Sequence, residues 1–158
     1  MLGFDHFLAM FGVGIWGAQM GGRKIWSLPM SFPLIMCVGA LIAISNIFTF
    51  IFVEQIIALS VIVLGFIILI KWSPNELIAI LVISIFALFH GYAHGVELPS
   101  ANDPLSFIIG FVLSTGLIHL FGIGTGYFCD KFYNGKLSRI IGILIAITGL
   151  IFVFRIYI

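Results

Sequence analysis

Long apolar runs separated by short polar punctuation dominate this chain, and their lengths predict helices rather than strands. A membrane-spanning helix needs about 20 apolar residues. Six runs approach or exceed that length, over residues 4–20, 28–45, 51–70, 74–97, 104–128 and 137–157. The pattern predicts an all-α polytopic membrane protein, a single bundle of about six transmembrane helices, because helices satisfy their own backbone in lipid. Ser73-Pro74-Asn75-Glu76 reads as a helix start, with Ser73 as N-cap and Pro74 at the first helical position. Asn102-Asp103-Pro104 reads as a similar start for the fifth span, and Gly21-Gly22 as the end of the first. The segment from Asn46 to Val53 is apolar yet must turn, and the turn is placed at Ser45-Asn46.

Composition supports lipid as the solvent. Hydrophobic residues make up 62% of the 158-residue chain and charged residues only 8%, with a mean hydropathy of +1.28. A soluble domain carries roughly 25% charged residues. The net charge of +1 points to no nucleic-acid partner, but the positions of the charges set an orientation. Arg23 and Lys24, Lys71, and the group Lys131, Lys136 and Arg139 fall in or beside three loops on one side, and Arg155 falls on the other. The positive-inside rule makes those three loops cytoplasmic and both termini periplasmic or exterior. No signal-peptide pattern opens the chain: Met1 is followed closely by Asp5-His6, without a basic region. An outward N-terminus then calls for a preceding signal segment or for self-insertion of the short first span.

The costly groups cluster in depth. Asp5, His6, Glu54, His90, His94, Glu97 and Asp103 all fall toward the outer ends of their spans, and His119 lies alone near or below the midplane of the fifth. Sixteen residues separate Glu54 from Lys71, roughly 24 Å of helix, less than the ~30 Å hydrocarbon core. The third helix therefore starts before Glu54. Its carboxylate lies inside the membrane boundary, where a charge calls for a partner or a purpose, unless it snorkels to the interface.

FHGYAHGVE, residues 89–97, holds two of the four histidines and one of the six acidic residues. His90, His94 and Glu97 recur at i, i+4 and i+7, within a roughly 60° arc of one helix. Two imidazoles one turn apart can share a metal ion, although hydrogen-bonded interfacial histidines would show the same spacing. Asp-His at the same depth on the first span favours the metal. Met10, one turn below His6, is either core packing or a soft auxiliary ligand. Gly91, Gly95 and the glycines of the first span predict close helix–helix approach. Cys37 and Cys129 sit at opposite depths, which excludes a disulfide, and both read as small apolar residues. No P-loop, G-x-S-x-G or H-E-x-x-H pattern is present, so the chain encodes no ATPase of its own.

FDHFLAMFGVGIWGAQMGG, residues 4–22, and FALFHGYAHGVELP, residues 86–99, resemble the HupE/UreJ family of nickel or cobalt permeases. The resemblance extends over essentially the whole chain, including Glu54 and Ser60 on the third span and the pattern around His119. It implies a small secondary transporter of the bacterial inner membrane that moves Ni²⁺ inward for hydrogenase or urease maturation, with no prosthetic group. It carries the metal site over to Asp5, His6, His90, His94 and Glu97. Glu54 is expected to add charge or a further ligand, and His119, Met10 and Ser60 to mark the path. The family pattern His-Pro-x-x-Gly-x-Asp-His is present here only from Gly3 onward. Its His-Pro would precede Met1, so the chain reads as shortened at its start, with one ligand histidine of the pattern absent. Imidazole and carboxylate suit Ni²⁺, Co²⁺ and Zn²⁺ alike, so the donors alone do not choose the metal. The rival from another class is an intramembrane zinc hydrolase, which gathers the same residue types around an open coordination position; a metal sensor or chaperone is a third reading. A homo-oligomer is compatible with all three.

Overall fold

The computed structural model describes residues 3–98 and 103–158. These form six helices and, among the described residues, no strand: α1 (Phe4–Met20), α2 (Lys24–Ser45), α3 (Val53–Ile70), α4 (Glu76–Glu97), α5 (Pro104–Tyr133) and α6 (Lys136–Tyr157). Helices α2 to α6 are each long and apolar enough to cross a membrane. The 17-residue α1 is shorter, about 25 Å at helical rise. It is also the most enclosed helix, with ten residues buried, and Val13, Ile15 and Trp16 fully so. A helix surrounded by other helices needs no broad apolar belt of its own, which reconciles its length with its central place.

The six helices alternate in direction. The start of α1, the start of α3, the end of α4 and the first turns of α5 share one cavity, as lined by His6, Glu54, His94 and Phe111. Phe4 of α1 meets Phe152, near the end of α6, at a ring-centroid separation of 6.4 Å. At the other end, the last residues of α1 and α3 meet the first residues of α6, and Lys24 at the start of α2 donates to the Pro74 carbonyl before α4. Apolar side chains such as Leu34, Leu41, Leu113, Leu117 and Leu144 point outward, as a bilayer-facing surface requires.

Glycine lets the helices pair at backbone distance, and it does so three times. In the α1–α5 pair a Cβ on Gly14 would stand 2.9 Å from the Gly122 Cα. In α2–α4 a Cβ on Gly91 would stand 2.6 Å from the Met36 Cα, and in α3–α6 one on Gly142 would stand 2.7 Å from the Gly65 carbonyl. Two helices are equally apolar whether they face lipid or each other, so close van der Waals packing supplies what the hydrophobic effect supplies in water. Of the glycines expected to slim α1, Gly14 and Gly17 abut backbone, Gly12 makes ordinary contact with Leu64, and Gly21 forms the turn with φ +70°.

Several boundaries differ from the sequence expectation. The turn after Ser45 is where it was expected, with Asn46 left-handed at φ 54°. Helix α4 starts two residues late, at Glu76, because Asn75 rather than Ser73 is the N-cap: its side chain accepts the Ile78 N–H at 2.9 Å. The Asn75 backbone is extended, at φ -63° and ψ 161°, as an N-cap requires, and its side chain takes the cap bond that Ser73 was expected to take. Helix α2 begins at Lys24, four residues before the expected span, with Pro29 and Pro33 inside it. Helix α5 runs on to Tyr133, and Asp103 caps its start by accepting from Ser106 N and Ser106 Oγ. Asn102, also expected at that start, lies outside the described residues. Cys37 and Cys129 are both free, but Cys37 is on the exposed face of α2 rather than inside.

These contacts predict a sharp contrast between glycines. Gly91→Ala should lower the apparent unfolding midpoint in detergent, since overpacking costs about 1–3 kcal/mol. Gly116→Ala, where nothing lies within 4 Å, should leave it unchanged or raise it. Equal midpoints for the two variants would contradict the backbone-level pairing of α2 with α4.

Candidate metal-binding site

Helix α1 brings Asp5 and His6 into the bundle at its first turn, against the end of α4. Asp5 is 2% exposed, and its Oδ1 accepts both the His6 backbone N–H at 2.8 Å and His6 Nδ1 at 2.9 Å. A carboxylate acceptor places the ring proton on Nδ1, so His6 Nε2 carries a lone pair; it is buried with no hydrogen-bond partner. His90 is fully buried, and its Nδ1 donates to the Phe86 carbonyl at 2.8 Å, one turn back on α4. A carbonyl can only accept, which again leaves a lone pair on Nε2, also buried and without a partner. Two histidines are thus held in the tautomer that a metal-binding imidazole needs.

The three rings form one cluster. The His6 ring lies 4.7 Å from His90 and 4.8 Å from His94, edge-on to both at 72°. His94 Nδ1 lies 3.6 Å from Glu97 Oε2, and its ring meets Phe111 of α5 at 4.5 Å. The i, i+4, i+7 stripe of α4 therefore faces α1, which the periodicity could state only as a shared side of the helix. Among the described residues no three His, Cys, Asp or Glu side chains form a ready-made metal cage. The donors are assembled in one place but not closed around one point.

In front of the cluster lies a cavity of about 300 Å³. Asp5, His6, Met10, Glu54, His94 and Glu97 all line it. Three carboxylates and two imidazoles from three helices thus share one concave space, and the expectation that Glu54 faces the same depth as the histidines is realised. Met10 presents itself to the cavity while remaining 3% exposed, so its packing and cavity-lining roles coincide. His90 does not line the cavity and stands behind it.

His119 is closer to the cluster than its depth on α5 suggests. The Phe32 ring of α2 stands edge-on to both His90 and His119, 5.5 Å from each, so one aromatic ring separates the two histidines. His119 is 2% exposed, and its buried Nε2 has no hydrogen-bond partner. Ser60 stands differently: it is fully buried, and its hydroxyl donates to the Ile57 carbonyl of its own helix at 2.6 Å, outside the cavity lining.

Phe32, Ser114 and Thr115 were not singled out by sequence reasoning. Ser114 and Thr115 line the cavity, and the only sequence signal for them is a pair of hydroxyls mid-span, one of them a turn before His119. Phe32 is one of 17 phenylalanines and carries no signal at all.

The chain is 34% identical over 147 residues to Protein HupE of Rhizobium leguminosarum bv. viciae, an overlap of 93% of this chain and 76% of the relative. No solved structure matches. Residues 1–152 match the family described as HupE / UreJ protein, and the chain belongs to that family.

Proposed function

We propose that this integral membrane protein is a permease for a divalent transition-metal cation, with Ni²⁺ as the favoured substrate. The observation that carries the reading is the cluster of His6, His90 and His94 at a cavity that His6 and His94 line together with three carboxylates. Two of its imidazoles have Nδ1 engaged, leaving Nε2 as a lone pair. Carboxylates at the mouth would concentrate a cation and imidazoles would replace part of its water shell. Nitrogen and carboxylate donors suit Ni²⁺, Co²⁺ and Zn²⁺, and the family resemblance favours nickel. A maturing hydrogenase or urease would be the consumer of the imported ion.

His119, one ring beyond His90, would be the next donor along the path.

The charge asymmetry supports a cavity that opens outward. Arg23, Lys24, Lys71, Lys131, Lys136 and Arg139 lie at the end opposite the cavity, which the positive-inside rule assigns to the cytoplasm of a bacterial inner membrane, with both termini outside. Exposed Thr49 and Asn134 sit at opposite ends. In a background lacking Cys37 and Cys129, Thr49→Cys should react with an impermeant thiol reagent added to intact cells and Asn134→Cys should not. The opposite labelling would reverse the orientation.

Binding and uptake measured on the same proteoliposomes would test the transport reading. Wild-type vesicles should accumulate Ni²⁺ above protein-free vesicles; no accumulation of Ni²⁺, Co²⁺ or Zn²⁺ would leave a binding protein or an enzyme. Asp5→Ala should weaken binding about 10–100-fold, the usual effect of removing a carboxylate that orients a ligand histidine. Glu54→Gln should also weaken equilibrium binding. His119→Ala should leave binding nearly intact and slow uptake. Loss of binding in that last variant would move the capture site deeper than the cavity.

A further inference from the structure

Helix α1 carries a second group of polar contacts at its other end, and none of the site residues takes part in it. Trp16 is fully buried, and its indole Nε1 donates to the Trp72 carbonyl at 2.7 Å. The two indoles stack at 5.9 Å with an interplanar angle of 10°. One turn further on, Gln19 Nε2 donates to the Ile68 carbonyl at 3.2 Å and to Ser138 Oγ at 3.0 Å. Ser138 is itself fully buried and donates to the Gly135 carbonyl at 2.9 Å. Beside them Lys71 Nζ reaches Asp130 Oδ1 at 2.9 Å.

Each contact joins a different pair of elements. Trp16 ties α1 to the segment after α3, Gln19 ties α1 to both α3 and α6, and Lys71 ties the end of α3 to the end of α5. We propose that Gln19 is the centre of a polar clamp that closes the bundle at the end opposite the cavity and must release for an ion to leave. The proposal rests on the transport reading above.

Three features support a clamp over a fixed structural joint. Its contacts lie toward helix ends and in short connections, where they join several elements through few bonds. Its members are neutral hydrogen bonds and one half-exposed ion pair, which a surface setting makes weak. Gln19 Oε1 is buried without a hydrogen-bond partner, so the closed arrangement leaves an acceptor unsatisfied that water would satisfy on opening. The cavity is open at one end while the clamp is made at the other. An alternating-access carrier needs that combination in its outward-facing state.

The test joins the two sides of the clamp covalently. Gln19→Cys and Ser138→Cys are introduced together in the full chain, with Cys37 and Cys129 replaced by Ala, and a short reductant-cleavable bis-thiosulfonate bridges them in proteoliposomes. Bridged protein should bind Ni²⁺ as the unbridged protein does, take up no more than protein-free vesicles, and recover uptake on reduction. Undiminished uptake by protein whose bridging is confirmed by mass spectrometry would overturn the clamp. Should the pair fail to fold, Lys71→Cys with Asp130→Cys joins the same end and is judged by the same two outcomes. Uptake by the unbridged wild type is read separately, so a failure of the transport reading is distinguishable from a failure of the clamp.

Discussion

Backbone-to-backbone contact between helices is the constraint on which the site depends. Three imidazoles can meet within 5 Å only if α1 and α4 are held without bulky side chains between them and their supports. Gly91 and Gly39 seat α4 on α2, and Gly14 and Gly122 seat α5 on α1. Helix α2 then presents Phe32 to His90 and to His119, and α5 presents Phe111 to His94. The same logic explains why the shortest helix is the central one: it carries functional side chains at both ends and glycine between them.

Helix α1 is chemically two-ended. Asp5 and His6 stand at its start in a nest of imidazole and carboxylate, and Trp16 and Gln19 stand near its end among carbonyls and a hydroxyl. In lipid a polar side chain is tolerated where it faces another polar group or a cavity. Both ends meet that condition, by different means. The first faces a cavity of about 300 Å³, and the second is closed by hydrogen bonds to neighbouring helices. A rigid element joining a cavity to a closure is a natural carrier of coupling between them.

The histidines are also set apart by what they do with Nδ1. His90 spends it on a carbonyl one turn back in its own helix, and His6 spends it on Asp5. The first arrangement uses only local backbone and is open to any histidine in a helix with a suitable rotamer. The second uses a neighbouring carboxylate and places negative charge directly behind one imidazole. His6 is therefore the member of the cluster whose ring is oriented by a hydrogen bond to a carboxylate, and its ring stands edge-on to the other two.

What could be read from sequence follows from local physics. Apolar run length gave six helices, and the spacing of Lys71 from Glu54 put that carboxylate at the depth of the histidines; its place in the cavity lining agrees. The period of α4 placed His90, His94 and Glu97 on one side, because 3.6 residues per turn is a property of the chain itself. Boundaries were less legible: Asn75 and Ser73 are both good cap residues by type, and the structure uses Asn75. Which side of α4 faces α1, the edge-on seating of His6 between two rings, and the single phenylalanine separating His90 from His119 were decided by tertiary structure alone. So was the clamp at Gln19, whose partners lie 49 and 119 residues away in the chain. A membrane sequence states how long its helices are and where the costly charges fall, because lipid penalises each segment separately. It does not state which helices touch, because in lipid every apolar face is equally content until close packing selects among them.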